Sequence, residues 1–176
     1  KDVVIFPEKF DSRFAALHRP NAFQRFGKPS VWTAGSADLI DWGRHRFFYA
    51  GQNPWEADRV GAGTVPLKTD RGWLTVYHGS GAATGPGKVG RYCAGLMLHD
   101  LADPTKLIGI TPEQFMEPEH DFEQSGFVPD VVFPTGLVPD PLRPEHVLVY
   151  YGAADTCTAM TSYPLTALLD ACDPVA

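Results

Sequence analysis

The chain has 176 residues, of which 44% are hydrophobic and 20% are charged, and its formal net charge at pH 7 is −6. This length fits one ordinary domain with a core of its own, and the composition excludes a disordered chain. The acidic balance gives no support for a nucleic-acid partner and leaves no polybasic segment for a membrane surface. Since no apolar run approaches the roughly 18 residues that span a bilayer, we expect neither nucleic acid nor a membrane as a partner.

Short apolar runs bounded by Gly, Pro, Asp and Asn dominate the chain, and such runs predict β-strands. In chain order the predicted strands are Asp2–Pro7, Arg13–His18, Ser30–Ala34, Trp73–His78, Tyr92–His99, Val131–Thr135 and Val147–Tyr151. Two short helical turns are predicted, at Ala37–Asp41 and Leu165–Ala171. The Gly-rich stretch Gly79–Gly90 lies between two strands with no helix after it, which predicts a hairpin tip rather than a phosphate-binding P-loop. The predicted fold class is all-β.

Three similar strands recur along the chain, which indicates an internal repeat. They are Arg13–Pro20, Trp73–Ser80 and His146–Ala153, and their starts are 60 and 73 residues apart. Units of about four strands at such spacing are typical of propeller blades, whereas the turns of an immunoglobulin-like sandwich recur every 8–12 residues. A closed propeller needs typically four to eight blades. The sequence therefore predicts about three blades, with the ring completed by other strands or by another copy of the chain.

The repeat also selects candidate site residues, because inner strands of a blade point their ends toward the central axis. The selected residues are polar or aromatic where a buried strand would prefer Val or Ile: His18, Arg19, Tyr77, His78, Tyr151 and Asp155. An arginine offers a fork of donors to phosphate and a lysine such as Lys68 a mobile point charge, which suits an anionic ligand beside a polyhydroxylated one. Each residue also has an ordinary structural interpretation, as a surface group, a strand-end histidine or a turn-capping aspartate.

Cys93, Cys157 and Cys172 are odd in number and form no C-x-x-C pair, so they predict neither a zinc site nor a disulfide framework. We interpret them as small buried thiols in a reducing compartment, which predicts a cytoplasmic location. The sequence also lacks the H-E-x-x-H and G-x-S-x-G patterns. No metal and no cofactor are therefore predicted.

Six ordered runs distributed over nearly the whole chain resemble glycoside hydrolase family 130. They are Asp2–Lys9, Ala16–Pro20, Arg59–Gly63, Thr75–Gly79, Gly126–Gly136 and Tyr150–Thr156. That family holds β-mannoside phosphorylases and related β-mannosidases on a five-bladed β-propeller. The resemblance implies that residues 1–176 form a single partial β-propeller domain, made of the C-terminal blades.

The resemblance implies an inverting phosphorolysis of β-mannosides, with inorganic phosphate as co-substrate and mannose 1-phosphate as product. By motif it implies phosphate binding by Arg19, Lys68 and His78, with Arg59 a weaker candidate, and retention of these basic residues favours the phosphorylase branch. It also implies that Asp155 binds the mannosyl unit. With the repeat positions, the candidate sugar-binding residues are Asp155, Asp58, Tyr151 and His18.

The chain departs from the family pattern in one respect, because the family's catalytic aspartic acid has no match here. The resemblance places it in N-terminal blades upstream of Lys1, so no catalytic residue is identified and those blades are expected to be missing. General-acid assistance is worth roughly 10²–10⁴-fold, and a pocket without it would bind but not turn over. Three alternatives stay open: a β-mannosidase of the same family, a truncated half-propeller acting as an inactive binding or homo-oligomeric module, and a hydrolase of another propeller family.

Overall fold

The computed structural model describes residues 1–21, 27–83, 85 and 89–175. The strands in these ranges are Val4–Phe10 (β1), Arg13–His18 (β2), Val31–Ser36 (β3), Trp42–Tyr49 (β4), Arg59–Ala62 (β5), Leu67–Lys68 (β6), Trp73–Ser80 (β7), Tyr92–His99 (β8), Leu107–Ile110 (β9), Val132–Pro139 (β10), His146–Ala153 (β11), Cys157–Pro164 (β12) and Asp173–Pro174 (β13). The helices are short: a 3-10 turn at Pro54–Glu56, Asp121–Gln124 (α1) and Leu165–Asp170 (α2).

The strands form three antiparallel sheets. The first has four strands in the order β1-β2-β3-β4, and the second has six, in the order β13-β9-β8-β7-β5 with β6 also paired to β7. The third has three strands, in the order β10-β11-β12. None of the three closes on itself within the described residues.

The chain is all-β, but the prediction of a five-bladed propeller with about three blades present is wrong for this structure. The three repeated strands are β2, β7 and β11, one in each sheet, yet the sheets have four, six and three strands rather than equal units. The difference arises from the partners of these strands. The C-terminal β13 pairs with β9, and both β5 and β6 pair with β7, and no sequence repeat marks these short strands.

All seven predicted strands overlap observed ones, and the helix predicted at Leu165–Ala171 is confirmed as α2. The helix predicted at Ala37–Asp41 is wrong. There the Asp38 carboxylate accepts hydrogen bonds from the backbone N–H groups of Ile40 and Asp41, both at 2.9 Å. Leu39 has a φ of 67°, which a right-handed helix does not allow. Local side-chain bonds of this kind offer the backbone an alternative to helix, so the segment forms a turn.

Two hydrophobic clusters share the central strand β7. The first, between the six- and three-stranded sheets, includes Leu74 and Val76, and the second, between the four- and six-stranded sheets, includes Trp73 and Tyr77. Since successive side chains of a strand point to opposite faces, β7 contributes one face to each cluster. Every residue of β7 is consequently buried.

The hairpin predicted around Gly79–Gly90 is confirmed, because β7 and β8 pair from Trp73 opposite His99 to Ser80 opposite Tyr92. Its tip includes residues 84 and 86–88, which lie outside the described residues. No helix in the described part of the chain is long and apolar enough to cross a membrane.

The three cysteines differ in their surroundings. Cys93 and Cys172 are buried, and burial raises the pKa of each thiol to about 11. Cys157 is exposed, so the interpretation of all three as buried thiols is wrong for this residue. The cytoplasmic location inferred from them stays a prediction.

His99 is a fully buried titratable group that packs against Phe6 and Phe48 of the second cluster. Its Nδ1–H donates to the carbonyl oxygen of Pro104 at 3.0 Å, and the ring stacks on Phe48 with centroids 5.2 Å apart. Burial lowers the pKa of His99 from 6.5 to about 4, because the apolar surroundings disfavour the imidazolium. The histidine is therefore held neutral in the folded protein.

We expect this histidine to make the fold sensitive to acid. Because its folded pKa lies below its unfolded pKa, its contribution to stability is present above pH 6.5 and is lost as the pH falls toward 4. Between pH 7 and pH 5 the loss is roughly 2 kcal/mol. Urea unfolding of the wild type and of His99→Gln, which cannot titrate, measures it: the variant's free energy of unfolding changes less between the two pH values.

The matched control is Met97→Leu, which changes a buried core residue without changing a titratable group. It retains the pH dependence of the wild type. An unchanged pH dependence in His99→Gln contradicts the prediction.

Candidate functional site

Arg19 and Asp2 are brought together by an extension of the β1–β2 ladder beyond its strands. The backbone N–H of Arg19 donates to the carbonyl oxygen of Lys1 at 2.8 Å, and the amino group of Lys1 donates to the carbonyl oxygen of Arg19 at 2.8 Å. Asp2 lies between these bonds and β1, with a φ of 54°. This short-range pairing places a carboxylate and a guanidinium side by side at one end of the first sheet.

These two side chains meet His78 of β7 in the interior. A guanidinium nitrogen of Arg19, Nη2, lies 2.8 Å from the Oδ2 of Asp2, and the Nε2 of His78 lies 3.5 Å from the same oxygen. The other terminal nitrogen of Arg19, Nη1, is 3.4 Å from His78 Nε2 and 3.5 Å from the carbonyl oxygen of Val60. Arg19 is only 5% exposed and His78 is fully buried. The group is therefore a desolvated ionic contact between the first and second sheets.

The protonation states of Asp2 and His78 are set by burial and by the charges of their neighbours. Burial lowers the pKa of His78 below its ordinary value, although its hydrogen bond and charge contact with Asp2 oppose the change. Burial alone would raise the pKa of Asp2, but His78, Arg19 and Lys1 together lower it. At neutral pH the geometry therefore holds a carboxylate, a guanidinium and a neutral imidazole.

Gly61 on β5 is required by this contact. A Cβ at Gly61 would lie 2.6 Å from the Cε1 of His78 and would also meet the carboxylate of Asp2. Real Cβ atoms do not approach other atoms so closely, so a side chain at this position displaces one of the two partners. The glycine of the run Arg59–Gly63 is thus explained by the space that the ionic contact occupies.

Arg59 joins the same region at the start of β5. Its Nε lies 2.7 Å from the Oδ2 of Asp58, and although burial opposes the change, Asp58 and Tyr92 help to raise the pKa of Arg59. The ring of Tyr92 is 6.0 Å from that of His78, and the ring of Phe133 packs on His78 at 4.2 Å. The side chain of Arg59 is 32% exposed, so an anion in solvent can reach it. We call Arg19, Arg59 and His78 the basic cluster.

Lys68 lies elsewhere. Its Nζ pairs with both carboxylate oxygens of Glu8, at 2.8 and 2.9 Å, and sits over the ring of Trp73 at 5.4 Å. Lys68 is opposite Trp73 on β7, five residues before His78. At about 3.4 Å per residue this separates the two positions by roughly 17 Å along the strand. The structure does not bring Lys68 to the basic cluster, and its predicted role in phosphate binding stays a prediction.

The candidate sugar-binding residues do not form one group. Asp58 pairs with Arg59, while the Nε2 of His18 lies 3.1 Å from the Nδ1 of His45 on β4. The hydroxyl of Tyr151 donates to the Oε1 of Glu123 at 2.7 Å, away from the basic cluster. Asp155 is exposed in the turn between β11 and β12, with a φ of 50°. Their sugar-binding roles stay predictions.

The Asp155 turn nevertheless lies at the same end of the sheets as the cluster. The backbone N–H of Ala154 donates to the carbonyl oxygen of Val131 at 3.0 Å, just before β10 begins. Two residues further along, Phe133 packs on His78. An exposed carboxylate thus stands near the buried basic groups, across the first residues of β10.

Sequence reasoning missed Asp2, Tyr92 and Phe133. Asp2 lies in the first of the six family-like runs, but its partners are Arg19, which follows β2, and His78 of β7, and the three meet only in the folded chain. The aromatic residues were assigned to strands and not to the site. In the described part of the chain, no group of three or more His, Cys, Asp and Glu side chains is arranged to hold a metal ion.

The arrangement is suited to binding an anion. Arginine presents several N–H donors in a planar fork that matches phosphate oxygens, and a desolvated site strengthens such bonds. Asp2 and Asp58 already pair with the two guanidinium groups. These carboxylates fix the orientation of the donors, and an incoming anion would bind to the N–H groups that remain.

Comparison with known proteins gives a consistent result. The family model of glycoside hydrolase family 130, described as beta-1,4-mannooligosaccharide phosphorylase, matches residues 1–174. A beta-1,2-mannobiose phosphorylase of Listeria innocua is 40% identical over 171 residues, which cover 96% of this chain and 45% of that protein. A beta-1,4-mannooligosaccharide phosphorylase of Ruminococcus albus is 31% identical over 157 residues, which cover 89% of this chain and 46% of that protein.

A solved structure of the Listeria innocua beta-1,2-mannobiose phosphorylase, in complex with beta-1,2-mannobiose, superposes with a TM-score of 0.86 at 38% identity. The match covers 97% of this chain and 46% of that chain. The chain therefore spans just under half the length of these relatives.

We expect Asp2→Asn to destabilise the protein strongly. The substitution keeps the shape of the side chain but leaves Arg19 buried without its counter-charge, and breaking a buried pair in this way costs about 3 kcal/mol or more. The free energy of unfolding in urea at pH 7 measures the effect. The matched control is Asp170→Asn, which breaks the exposed contact of Asp170 with Arg71 and costs less than about 1 kcal/mol. Equal effects of the two substitutions would show that the Asp2 contact is not desolvated.

Proposed function

The chain belongs to glycoside hydrolase family 130, and on that basis we propose that it carries the phosphate-binding part of an inverting β-mannoside phosphorylase. The observation that supports the proposal is the convergence of Arg19, Arg59 and His78 from separate strands of the fold on one partly desolvated position. Two curated relatives are named as phosphorylases of mannobiose and of mannooligosaccharide. Inorganic phosphate and a β-mannoside are the substrates that this proposal assigns.

The proposed reaction replaces one bond at the anomeric carbon by another. Inorganic phosphate attacks that carbon from the face opposite the leaving sugar, the glycosidic C–O bond breaks, and the leaving oxygen takes up a proton. Inversion converts the β-mannoside to mannose 1-phosphate of α configuration. The chain's own residues bind and orient the phosphate, and the proposal assigns no proton donor among them.

The uncharged state of His78 determines which residues of the basic cluster supply positive charge to phosphate in this proposed function. With His78 uncharged, the positive charge that faces phosphate comes from Arg19 and Arg59, while the imidazole adds a hydrogen-bonding group. Asp155, exposed beside the cluster, is proposed to bind mannosyl hydroxyls as an acceptor. Asp58, Tyr151 and His18 are weaker proposals for the same sugar, because each is already paired with another side chain.

The products of the reaction test the proposal. A β-mannobiose is incubated with the protein in the presence and absence of inorganic phosphate, and the products are identified by ¹H and ³¹P NMR. Formation of α-mannose 1-phosphate, dependent on phosphate, supports the phosphorylase. Free mannose released at the same rate without phosphate contradicts it in favour of a mannosidase. Phosphate binding without any product shows that this chain binds phosphate but does not supply the proton donor.

Phosphate binding itself gives a prediction that separates the candidate residues. We expect Arg59→Met to weaken phosphate binding about tenfold or more, since a hydrogen bond to a charged group contributes about 1.5–3 kcal/mol. Isothermal titration calorimetry with inorganic phosphate measures the dissociation constant. Lys68→Met, which removes a cation roughly 17 Å away along β7, leaves it within about twofold. The opposite order of effects would move the phosphate site to Lys68.

A further inference from the structure

A cavity of about 380 Å³ lies between the segment that contains α1 and the strands β11 and β12. Its size is within the range of small-molecule sites, which occupy about 300–1,000 Å³. The residues that face it include Gln114, Glu119, His120, Phe122, Met160 and Tyr163. It contains no member of the basic cluster, and among the candidate site residues it contains only Tyr151.

One wall of the cavity is fixed by a buried glutamate. Glu123 accepts the hydroxyl of Tyr151 at 2.7 Å and the backbone N–H groups of Glu119 and His120 at 2.8 and 2.9 Å. These bonds lower the pKa of Glu123 although burial alone would raise it, so the carboxylate stays charged and the wall stays in place. Glu123 and Tyr151 satisfy each other, so they shape the cavity rather than offering free groups to a ligand.

Other polar groups of the cavity are free to bind. The carboxylate of Glu119 makes no hydrogen bond to the described residues, and Gln114 uses only its amide nitrogen, which donates to Glu117 at 3.1 Å. Glu117 in turn is held by Arg91 at 2.6 Å. The cavity therefore presents hydrogen-bond acceptors of negative or neutral character, which repel an anion and accept hydroxyl groups.

Flat rings stand beside these acceptors. The rings of His120 and Phe122 are stacked with centroids 5.4 Å apart and an interplanar angle of 12°, and Phe115 and Tyr163 meet edge to face at 5.5 Å. An apolar face next to planar acceptors fits a ligand with an apolar C–H face and a rim of hydroxyls. A pyranose ring has this form, and a phosphate or an extended apolar chain does not.

The cavity lies close to the basic cluster across the second sheet. His78 is paired with Ala94 of β8, and Ala94 makes a bridge with Met116, which lines the cavity. Two inter-strand spacings separate His78 from Met116, which is roughly 10 Å. A short chain of linked pyranose rings can span such a distance.

We propose that this cavity binds one pyranose ring of a β-mannoside oligosaccharide, with Glu119 and Gln114 accepting its hydroxyls and the Phe122 side of the aromatic pair packing on its C–H face. The proposal deepens the proposed function and rests on it for the identity of the sugar. It assigns an additional sugar subsite, separate from the position where phosphate binds.

The three methionines of the chain provide the probes for a test. Met116 and Met160 line the cavity, whereas Met97 is fully buried in the other hydrophobic cluster. The protein is labelled with ¹³C at its methionine methyl groups and titrated with a β-mannobiose, and the methyl NMR signals are followed. We expect the Met160 signal to shift in a saturable way while the Met97 signal stays in place. Sorbitol, an acyclic polyol, serves as the ligand control and leaves both signals unchanged.

Variants locate the binding. Phe122→Ala and Glu119→Gln weaken the mannobiose affinity obtained from the Met160 shift about fivefold or more. Phe127→Ala is the matched control, because Phe127 is 86% exposed and does not line the cavity. It leaves the affinity unchanged.

Two results would overturn the proposal: mannobiose binding seen by calorimetry without a shift of Met160, or equal effects of Phe122→Ala and Phe127→Ala. Phosphate titration of the same sample distinguishes this failure from failure of the proposed function. Phosphate binding that depends on Arg59, with Met160 unmoved by sugar, rejects the cavity alone. A saturable Met160 shift without any phosphate binding supports the sugar subsite and rejects the phosphorylase assignment.

Discussion

The contact between Asp2, Arg19 and His78 is the interaction on which the candidate site depends. Because β7 is packed on both faces, His78 has no access to solvent, and a charge beside it requires a partner inside the protein. Asp2 provides that partner for Arg19, and it reaches the interior only because the chain before β1 remains paired with the residue after β2. The first and second sheets are thus joined by a desolvated ion pair. A buried pair is weak evidence of net stability, so its value here is the fixed orientation of the guanidinium.

Two buried glutamates fix the loops around this contact, because each carboxylate accepts hydrogen bonds from a tyrosine of the core and from the backbone of a loop. Glu56 accepts the hydroxyls of Tyr49 at 2.7 Å and Tyr77 at 2.9 Å, as well as the backbone N–H of Gln52 at 3.1 Å. Glu123 accepts one tyrosine hydroxyl and two backbone N–H groups. The first carboxylate fixes the segment that leads into Arg59, and the second fixes the wall of the cavity. Each ties a loop to a strand of the core, so both positions are set by rigid strands rather than by the loops themselves.

The sequence predicted the strands well where apolar residues run without interruption, as in β7 and β8, and failed where they do not. Strand β12 has the sequence C-T-A-M-T-S-Y-P, which lacks the uninterrupted apolar run that predicts a strand. It forms because its whole length pairs with β11. The blade prediction failed for a related reason. Repeated central strands are visible in the sequence, but the number of neighbours that each acquires depends on tertiary pairing, such as that of β13 with β9.

The residues of the candidate site were likewise predicted from the sequence only in part. Arg19 and His78 were found because each stands next to a recognisable run, whereas Asp2 was missed because its role exists only after three strands meet. Lys68 shows the converse. Its charge and its match to the family pattern predict phosphate binding, while the packing of the first sheet on the second pairs it with Glu8. Its role in phosphate binding stays a prediction. Sequence can identify residues with suitable chemistry, but it cannot tell which of them the sheets bring together.

The basic cluster and the cavity differ in charge, and this difference favours a different ligand at each. The basic cluster offers guanidinium donors to an anion, whereas the cavity near Glu119 offers carboxylate and amide acceptors beside stacked rings. An anion is attracted to the first and repelled from the second, while an uncharged sugar gains little from the guanidinium charge. Because His78 of the cluster and Met116 of the cavity lie only roughly 10 Å apart across two inter-strand spacings, a ligand with sugar rings at one end could be held in a single orientation relative to phosphate. Such an orientation requires no conformational change, because β7 and β8 connect both positions through one continuous hydrogen-bonded ladder.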